Sequence, residues 1–219
     1  MFSENYNIMK EIHSNIKKIT KSNKNDEGAW ESNLNEEQVL EILSKFPRIN
    51  IGIDIASSSF FRNRQYNYSS SSLDRKSQII FINSLIHKFK LAYIEDPLEE
   101  NDFSGFSKIS KSALVCGDDL TVTDISRLNR AIKNKSINAM IIKPNQNGSL
   151  LELNEIADIC RKNRIKTIIS HRSGETLDSA LADYAFAFQA DYIKCGISTK
   201  WREAKLKRLI EIEKSIKKV

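Results

Sequence analysis

The sequence has no apolar run approaching the roughly eighteen residues of a membrane-spanning helix. Met1 to Lys10 lacks the apolar core of a secretory signal. Only three cysteines occur, Cys116, Cys160 and Cys195, an odd number without metal-ligand spacing. That argues against a disulfide framework or a zinc site and points to a reducing cytoplasm. The glycine-rich first turn of a dinucleotide binder is missing. Positive charge is in modest excess, 34 Lys and Arg against 28 Asp and Glu, for a net +6. It concentrates in Lys10–Lys24 and Arg202–Lys218, both read as helices with solvated basic faces. Basic residues are not interleaved with aromatics, so nucleic acid is not an expected partner. The charge suits an anionic small substrate instead.

An apolar share of 40% over 219 residues supports a sizeable core, in one large domain or two small ones. Ile8, Ile12, Ile16 and Ile19 recur at helical spacing, predicting a helix over about 4–22. A polar loop, Ser22–Trp30, follows with the adjacent acids Asp26 and Glu27. A second helix is expected over about 35–46, with Asn35 as N-cap, Gln38 three residues on and Pro47 ending it.

From there strand and helix alternate six times. Strands are expected at 49–55, 91–94, 113–116, 138–143, 166–170 and 192–194. Helices are expected at 73–89, 102–110, from Thr123 or Asp124 to 133, at 149–163, 176–188 and 200–217. Residues 58–71, aromatic and serine-rich, read as an excursion or small hairpin. Such alternation means parallel strands with helical crossovers, as in a (β/α) barrel or an open doubly wound sheet.

Each unit puts a polar or ionisable residue at its C-terminal strand end: Asp54, Glu95, Asp118, Lys143, His171 and Lys194. In either architecture that is the face where sites lie. Three carboxylates on successive strands repel one another unless a cation sits among them. Their oxygen donors suit Mg²⁺ or Mn²⁺ rather than zinc. Lys143 follows the apolar run Ala139–Ile142 and precedes Pro144, which forbids the ladder from continuing. A lysine at such a mouth is placed to have its pKa lowered; alternatively it snorkels out to water. A cation beside Lys143 and Lys194 suits a carboxylate substrate with a removable alpha proton. Glu27 is a candidate acid. His171-Arg172-Ser173-Gly174 offers donors at a helix start, a candidate phosphate cradle.

Seven stretches, in order along nearly the whole chain, resemble the enolase (phosphopyruvate hydratase) family. They are Asp26-Glu27-Gly28, Gly52–Ser58, Ile94-Glu95-Asp96-Pro97, Gly117–Thr123, Lys143-Pro144-Asn145-Gln146, Ser170–Thr176 and Ile193-Lys194. The Lys-Pro-Asn-Gln form is most similar to archaeal and some bacterial members. The resemblance implies an α/β fold, the TIM-type barrel of the enolase C-terminal domain, with two helices followed by six βα units. It implies a cytoplasmic lyase that dehydrates 2-phosphoglycerate to phosphoenolpyruvate with magnesium held by Asp54, Glu95 and Asp118. Lys143 would remove the C2 proton and Glu27 would assist departure of the C3 hydroxyl. Lys194 would hold the carboxylate, Arg172 and Ser173 the phosphate, and His171 would line the site. Lysine bases beside magnesium are an established pattern of the enolase superfamily.

The family pattern also places an N-terminal capping domain and two barrel strands ahead of the first barrel helix. The chain, read as one partial barrel domain over 1–219, is therefore expected to lack them and to need a homo-oligomer or a complementing N-terminal chain. The serine loop carrying a second magnesium ligand, and a glutamate and a histidine of the first strands, have no counterparts in the matched stretches. Ala29-Trp30 is expected to crowd the acid loop, and Ile197–Arg202 departs from the usual Ala-Pro segment. Two other readings stand beside the lyase: an enolase-derived binding or assembly subunit without turnover, and a superfamily lyase acting on a different carboxylate.

Overall fold

The computed structural model describes residues 2–216. The described residues form two compact units, one over 37–168 and the other over 2–36 with 169–216.

In the first unit, helix α2 (Glu36–Leu43) leads to the strand β1 (Gly52–Asp54). The aromatic excursion is a small antiparallel sheet of β2 (Phe61–Arg62), β3 (Gln65–Asn67) and β4 (Ser72–Leu73). Its centre is Tyr66, whose buried hydroxyl accepts from the Glu99 backbone N–H at 3.1 Å. Helix α3 (Arg75–Phe89) follows, then β5 (Tyr93–Glu95), the short α4 (Phe103–Phe106), β6 (Leu114–Gly117), α5 (Ile125–Lys133) and β7 (Ala139–Ile142). A single turn, α6 (Pro144–Asn147), precedes α7 (Leu150–Lys162) and β8 (Lys166–Ser170).

Side-chain caps set where the helices start. Asp74 accepts from the Ser77 N–H at 2.7 Å, Asp124 from Arg127 at 2.8 Å and Ser149 from Glu152 at 3.3 Å, each satisfying an otherwise orphaned donor. Of the two caps expected for α5, Asp124 is the one used. In α7, Leu153, Ile156, Ala157 and Cys160 are buried at helical spacing. All four residues of β7 are buried, as a strand covered on both faces requires. The parallel register is continuous: Asp54 faces Glu95, and Glu95 faces Cys116.

In the second unit, α1 (Phe2–Thr20) ends where Lys21 turns left-handed, φ 51°. Helix α8 (Ala180–Ala187), strand β9 (Tyr192–Lys194) and helix α9 (Lys200–Ile216) complete it. The expected end of α9 at 217 lies outside the described residues. Hydrogen-bonded strand order is β1-β5-β6-β7-β8-β9, the six successive βα units of an incomplete TIM-type barrel. The alternative of a doubly wound sheet is set aside by this order, which never reverses.

Helix α8 begins later than the expected 176. The Asp178 carboxylate takes the Ala180 N–H at 2.6 Å and Lys205 Nζ takes the Thr176 carbonyl at 2.6 Å. Both groups are thereby diverted from a first helical turn. The supposed solvated face of α9 needs a further correction, because Arg202 and Lys205 are buried. Lys205 pairs with Glu175 at 2.7 Å. Among the described residues no helix is long and apolar enough to cross a membrane.

Candidate active site

The larger unit carries four of the expected residues. Asp54 and Glu95 are the last residues of β1 and β5 and are register partners, so their side chains leave the sheet on one side. Asp118 follows β6 two residues past Cys116, keeping the same parity. Lys143 follows β7, and its Nζ lies 2.5 Å from Asp118 Oδ2, with side chains only 16% and 13% exposed.

Each of these groups has a local holder that the sequence reading missed. The Tyr93 hydroxyl donates to Glu95 Oε2 at 2.6 Å, and Glu95 is 0% exposed. Burial pushes the Tyr93 phenol far up, with its neighbours Cys116 and Glu95 pushing the same way, so it remains a donor. Buried Asp96 accepts from the Asp118 N–H at 3.0 Å and from the Asp119 N–H at 2.7 Å, bracketing the loop that carries Asp118. Burial raises Asp96 well above the usual carboxylate range despite those two donors, and the charges of Asp119 and Asp118 push the same way. Asp119 is raised by burial and by Asp118, with Lys143 opposing. Thr123 Oγ accepts from the Lys143 N–H at 3.0 Å and donates to Gln146 at 2.9 Å. Asp96 and Thr123 both sit at positive φ, 40° and 53°. Alternation would have flagged Tyr93, two residues before Glu95 on the same face. Nothing in the sequence marks the left-handed Asp96 and Thr123.

The expected row of carboxylates is present, but not as a cage. Among the described residues no group of three or more His, Cys, Asp or Glu side chains is arranged to hold a metal ion. Asp118 is drawn to Lys143, Glu95 to Tyr93, and Asp54 accepts from the Ala56 N–H at 3.1 Å at the exposed end of β1. The donor chemistry nevertheless fits a hard divalent cation. The candidate donors are all oxygen, and crowded acids already disfavour one another's charge at Asp96 and Asp119.

The smaller unit carries the others. Glu27 stands on a loop fixed at Gly28, whose carbonyl meets His13 Nε2 at 3.0 Å and accepts from Ser198 Oγ at 2.7 Å. Gly28 has φ 81°, and a Cβ there would lie 2.3 Å from Ser198 Oγ, so no side chain fits. Trp30 does not crowd this loop. Its indole N–H donates to the His13 carbonyl at 2.8 Å and its ring lies against His13 along α1. Glu27 Oε2 is 4.0 Å from His171 Nε2, and Oε1 is 3.8 Å from Arg202 Nη2. Gly196 lets the guanidinium in, because a Cβ there would meet Arg202 Cδ at 2.8 Å.

His171 is buried directly after β8, its N–H bonded to the Lys194 carbonyl at 2.9 Å. Arg172 and Ser173 are exposed. They lie in a loop rather than at a helix start, since α8 begins only at Ala180, so the expected helix-dipole contribution to a phosphate cradle is not available there. Lys194 ends β9 and lines a cavity of about 330 Å³ with Phe2, Tyr6, Met9, Cys195 and Leu206.

Six parallel strand–helix units, with Asp54, Glu95, Asp118 and Lys143 at successive strand ends of the larger unit, define an incomplete barrel of the kind that carries enzyme sites on that face. The family model described as "Enolase, C-terminal TIM barrel domain" matches residues 1–219. The enolase of Archaeoglobus fulgidus is 38% identical over 94% of this chain and 56% of its own length. That of Methanosphaera stadtmanae is 37% identical over 97% of the chain and 56% of its own length. That of Sulfurisphaera tokodaii is 44% identical over 76% of the chain and 41% of its own length. The chain belongs to the enolase family. It spans about half the length of the curated relatives it matches.

Proposed function

We propose that the chain supplies the catalytic barrel portion of an enolase-type carbon–oxygen lyase of glycolysis and gluconeogenesis, converting 2-phosphoglycerate to phosphoenolpyruvate and water. The observation that carries this reading is the short Lys143–Asp118 contact beside the in-register pair Asp54 and Glu95. It puts a candidate base next to a row of hard oxygen donors on neighbouring strand ends. Asp54, Glu95 and Asp118 would hold magnesium, which when bound supplies positive charge for a substrate carboxylate.

The protein's own groups then divide the reaction. Neutral Lys143 Nζ takes the proton from C2 and becomes an ammonium. The electron pair of that C–H bond forms the C2–C3 double bond. The C3–O bond breaks, and Glu27, entering protonated, gives its proton to the departing hydroxyl as water. Lys194 holds the carboxylate, Arg172 and Ser173 the phosphate, and His171 lines the site. Residues 1–219 act as one partial barrel domain, completed by a second copy or by polypeptide contributing the N-terminal domain and the two further strands of an eight-stranded barrel. The reducing cytoplasm is its proposed compartment, a reading supported by three buried free thiols.

The test is the rise of phosphoenolpyruvate absorbance on adding 2-phosphoglycerate and magnesium chloride, with the chain alone and with candidate N-terminal halves. Magnesium-dependent turnover is expected once the barrel is completed. No turnover in any combination sinks the proposal. A second reading, an enolase-derived binding or assembly subunit, is favoured by one observation: Lys143 occupies the Asp118 carboxylate that a metal would need.

A further inference from the structure

The smaller unit buries hydrogen-bonding atoms that it leaves unpaired. Among the described residues His171 Nδ1, Arg202 Nε and Thr199 Oγ have no hydrogen-bond partner and no contact with solvent. His171 is 7% exposed and Arg202 only 1%. Unpaired buried donors are rare enough in folded proteins to need an explanation. Arg202 also lies outside every stretch that carries the family resemblance.

The geometry at the other ring nitrogen assigns the protons. Arg202 Nη1 lies 3.4 Å from His171 Nε2. A guanidinium has only donors, so in this contact Nε2 must accept. A neutral imidazole accepting at Nε2 carries its proton on Nδ1, the atom without a partner. Protonating Nε2 as well would press a second cation against a guanidinium that is itself buried. The charged and titratable groups facing the ring are Arg202 from α9 and Glu27 from the acid loop, the latter 4.0 Å from Nε2 and 3.8 Å from Arg202 Nη2. Glu27 is therefore shared between the two and sits nearer the guanidinium.

We infer that Arg202 is a positioning residue that fixes His171 as the neutral Nδ1–H tautomer, leaving that N–H as a buried donor for an anionic oxygen of the substrate. The substrate part rests on the enolase-type reading above. Gly196 is part of the device, since any side chain there would displace the Arg202 methylene that it now touches.

Nitrogen-15 histidine labelling of the full chain tests this, because two-bond proton–nitrogen correlations distinguish the two neutral tautomers from imidazolium. There are three histidines, His13, His87 and His171, and the His171→Gln variant assigns the third. The expected wild-type pattern near neutral pH is protonated Nδ1 and bare Nε2. Arg202→Met is expected to replace it with the Nε2–H tautomer or imidazolium, and Arg202→Lys, which keeps a cationic donor, to restore it. Wild-type protonation on Nε2 overturns the inference without any variant having to fold. So does an unchanged tautomer in a folded Arg202→Met. Adding 2-phosphoglycerate with magnesium chloride to the completed complex is expected to shift the Nδ1–H resonance, and no shift overturns the donor role. A shift without turnover would instead sink the lyase reading and leave the Arg202–His171 assignment standing.

Discussion

Lys143 Nζ and Asp118 Oδ2 meet at 2.5 Å, so removing either one changes what the other can do. Lys143→Ala is expected to lower turnover of the completed enzyme by on the order of 10²–10⁴-fold, the usual scale for loss of a general base. Magnesium affinity, read by calorimetry, should stay the same or tighten, because Asp118 loses a competing partner. A parallel loss of metal binding would make Lys143 structural. Asp118→Asn should weaken metal binding, and an unchanged titration removes it from the site. A second acid–base pair governs stability. Arg75 Nε and Nη2 donate to the two oxygens of Asp102 at 2.6 and 2.8 Å, and Asp102 also accepts from the Gly105 N–H at 2.8 Å. Burial raises the Asp102 carboxyl, but the Arg75 and Gly105 hydrogen bonds outweigh it and the net shift is downward. A lowered native pKa stabilises the fold above the unfolded carboxyl's pKa, and that stability is lost as pH falls through the native value. Urea melts between about pH 2 and pH 6 should therefore show an acid-sensitive component that Asp102→Asn removes.

At the scale of elements, much of the fold was legible and the exceptions have physical causes. Strand β7 follows from an apolar run closed by Pro144, and α7 from its periodic Leu153, Ile156, Ala157 and Cys160. Ile156→Ala in this fully buried stripe should cost about 2–5 kcal/mol in chemical denaturation. The carboxylate order was legible because strand alternation fixes parity. The Lys143–Asp118 pairing was not, since side-chain reach between strands leaves no mark in spacing. The late start of α8 was hidden because Lys205, distant in sequence, captures the Thr176 carbonyl. Arg202 and Lys205 were misread for a related reason: charge count along a helix does not reveal which turn meets buried acceptors.

At the scale of the whole molecule, the six parallel strands of the described residues run in unbroken order, and β1 and β9 end that order. An eight-stranded barrel has two more, and the edges of an open sheet invite pairing. Residues 1–219 on their own are therefore expected to run above 25.1 kDa in solution, either as a self-associated species or with a second polypeptide, and native mass spectrometry distinguishes these. A stable monomer with full turnover would remove the need for completion.

Gly196 gives the smaller unit an unusual mutational weak point. It carries no functional group, yet the space it vacates is what admits the Arg202 side chain, and an added Cβ would also approach the Glu27 carbonyl to 3.4 Å. One added methyl group would thus press on the Arg202 side chain and the Glu27 backbone, and through Arg202 on His171, with none of the three altered. In this protein the tolerance of the proposed acid and donor to change is set partly by a residue that touches no substrate.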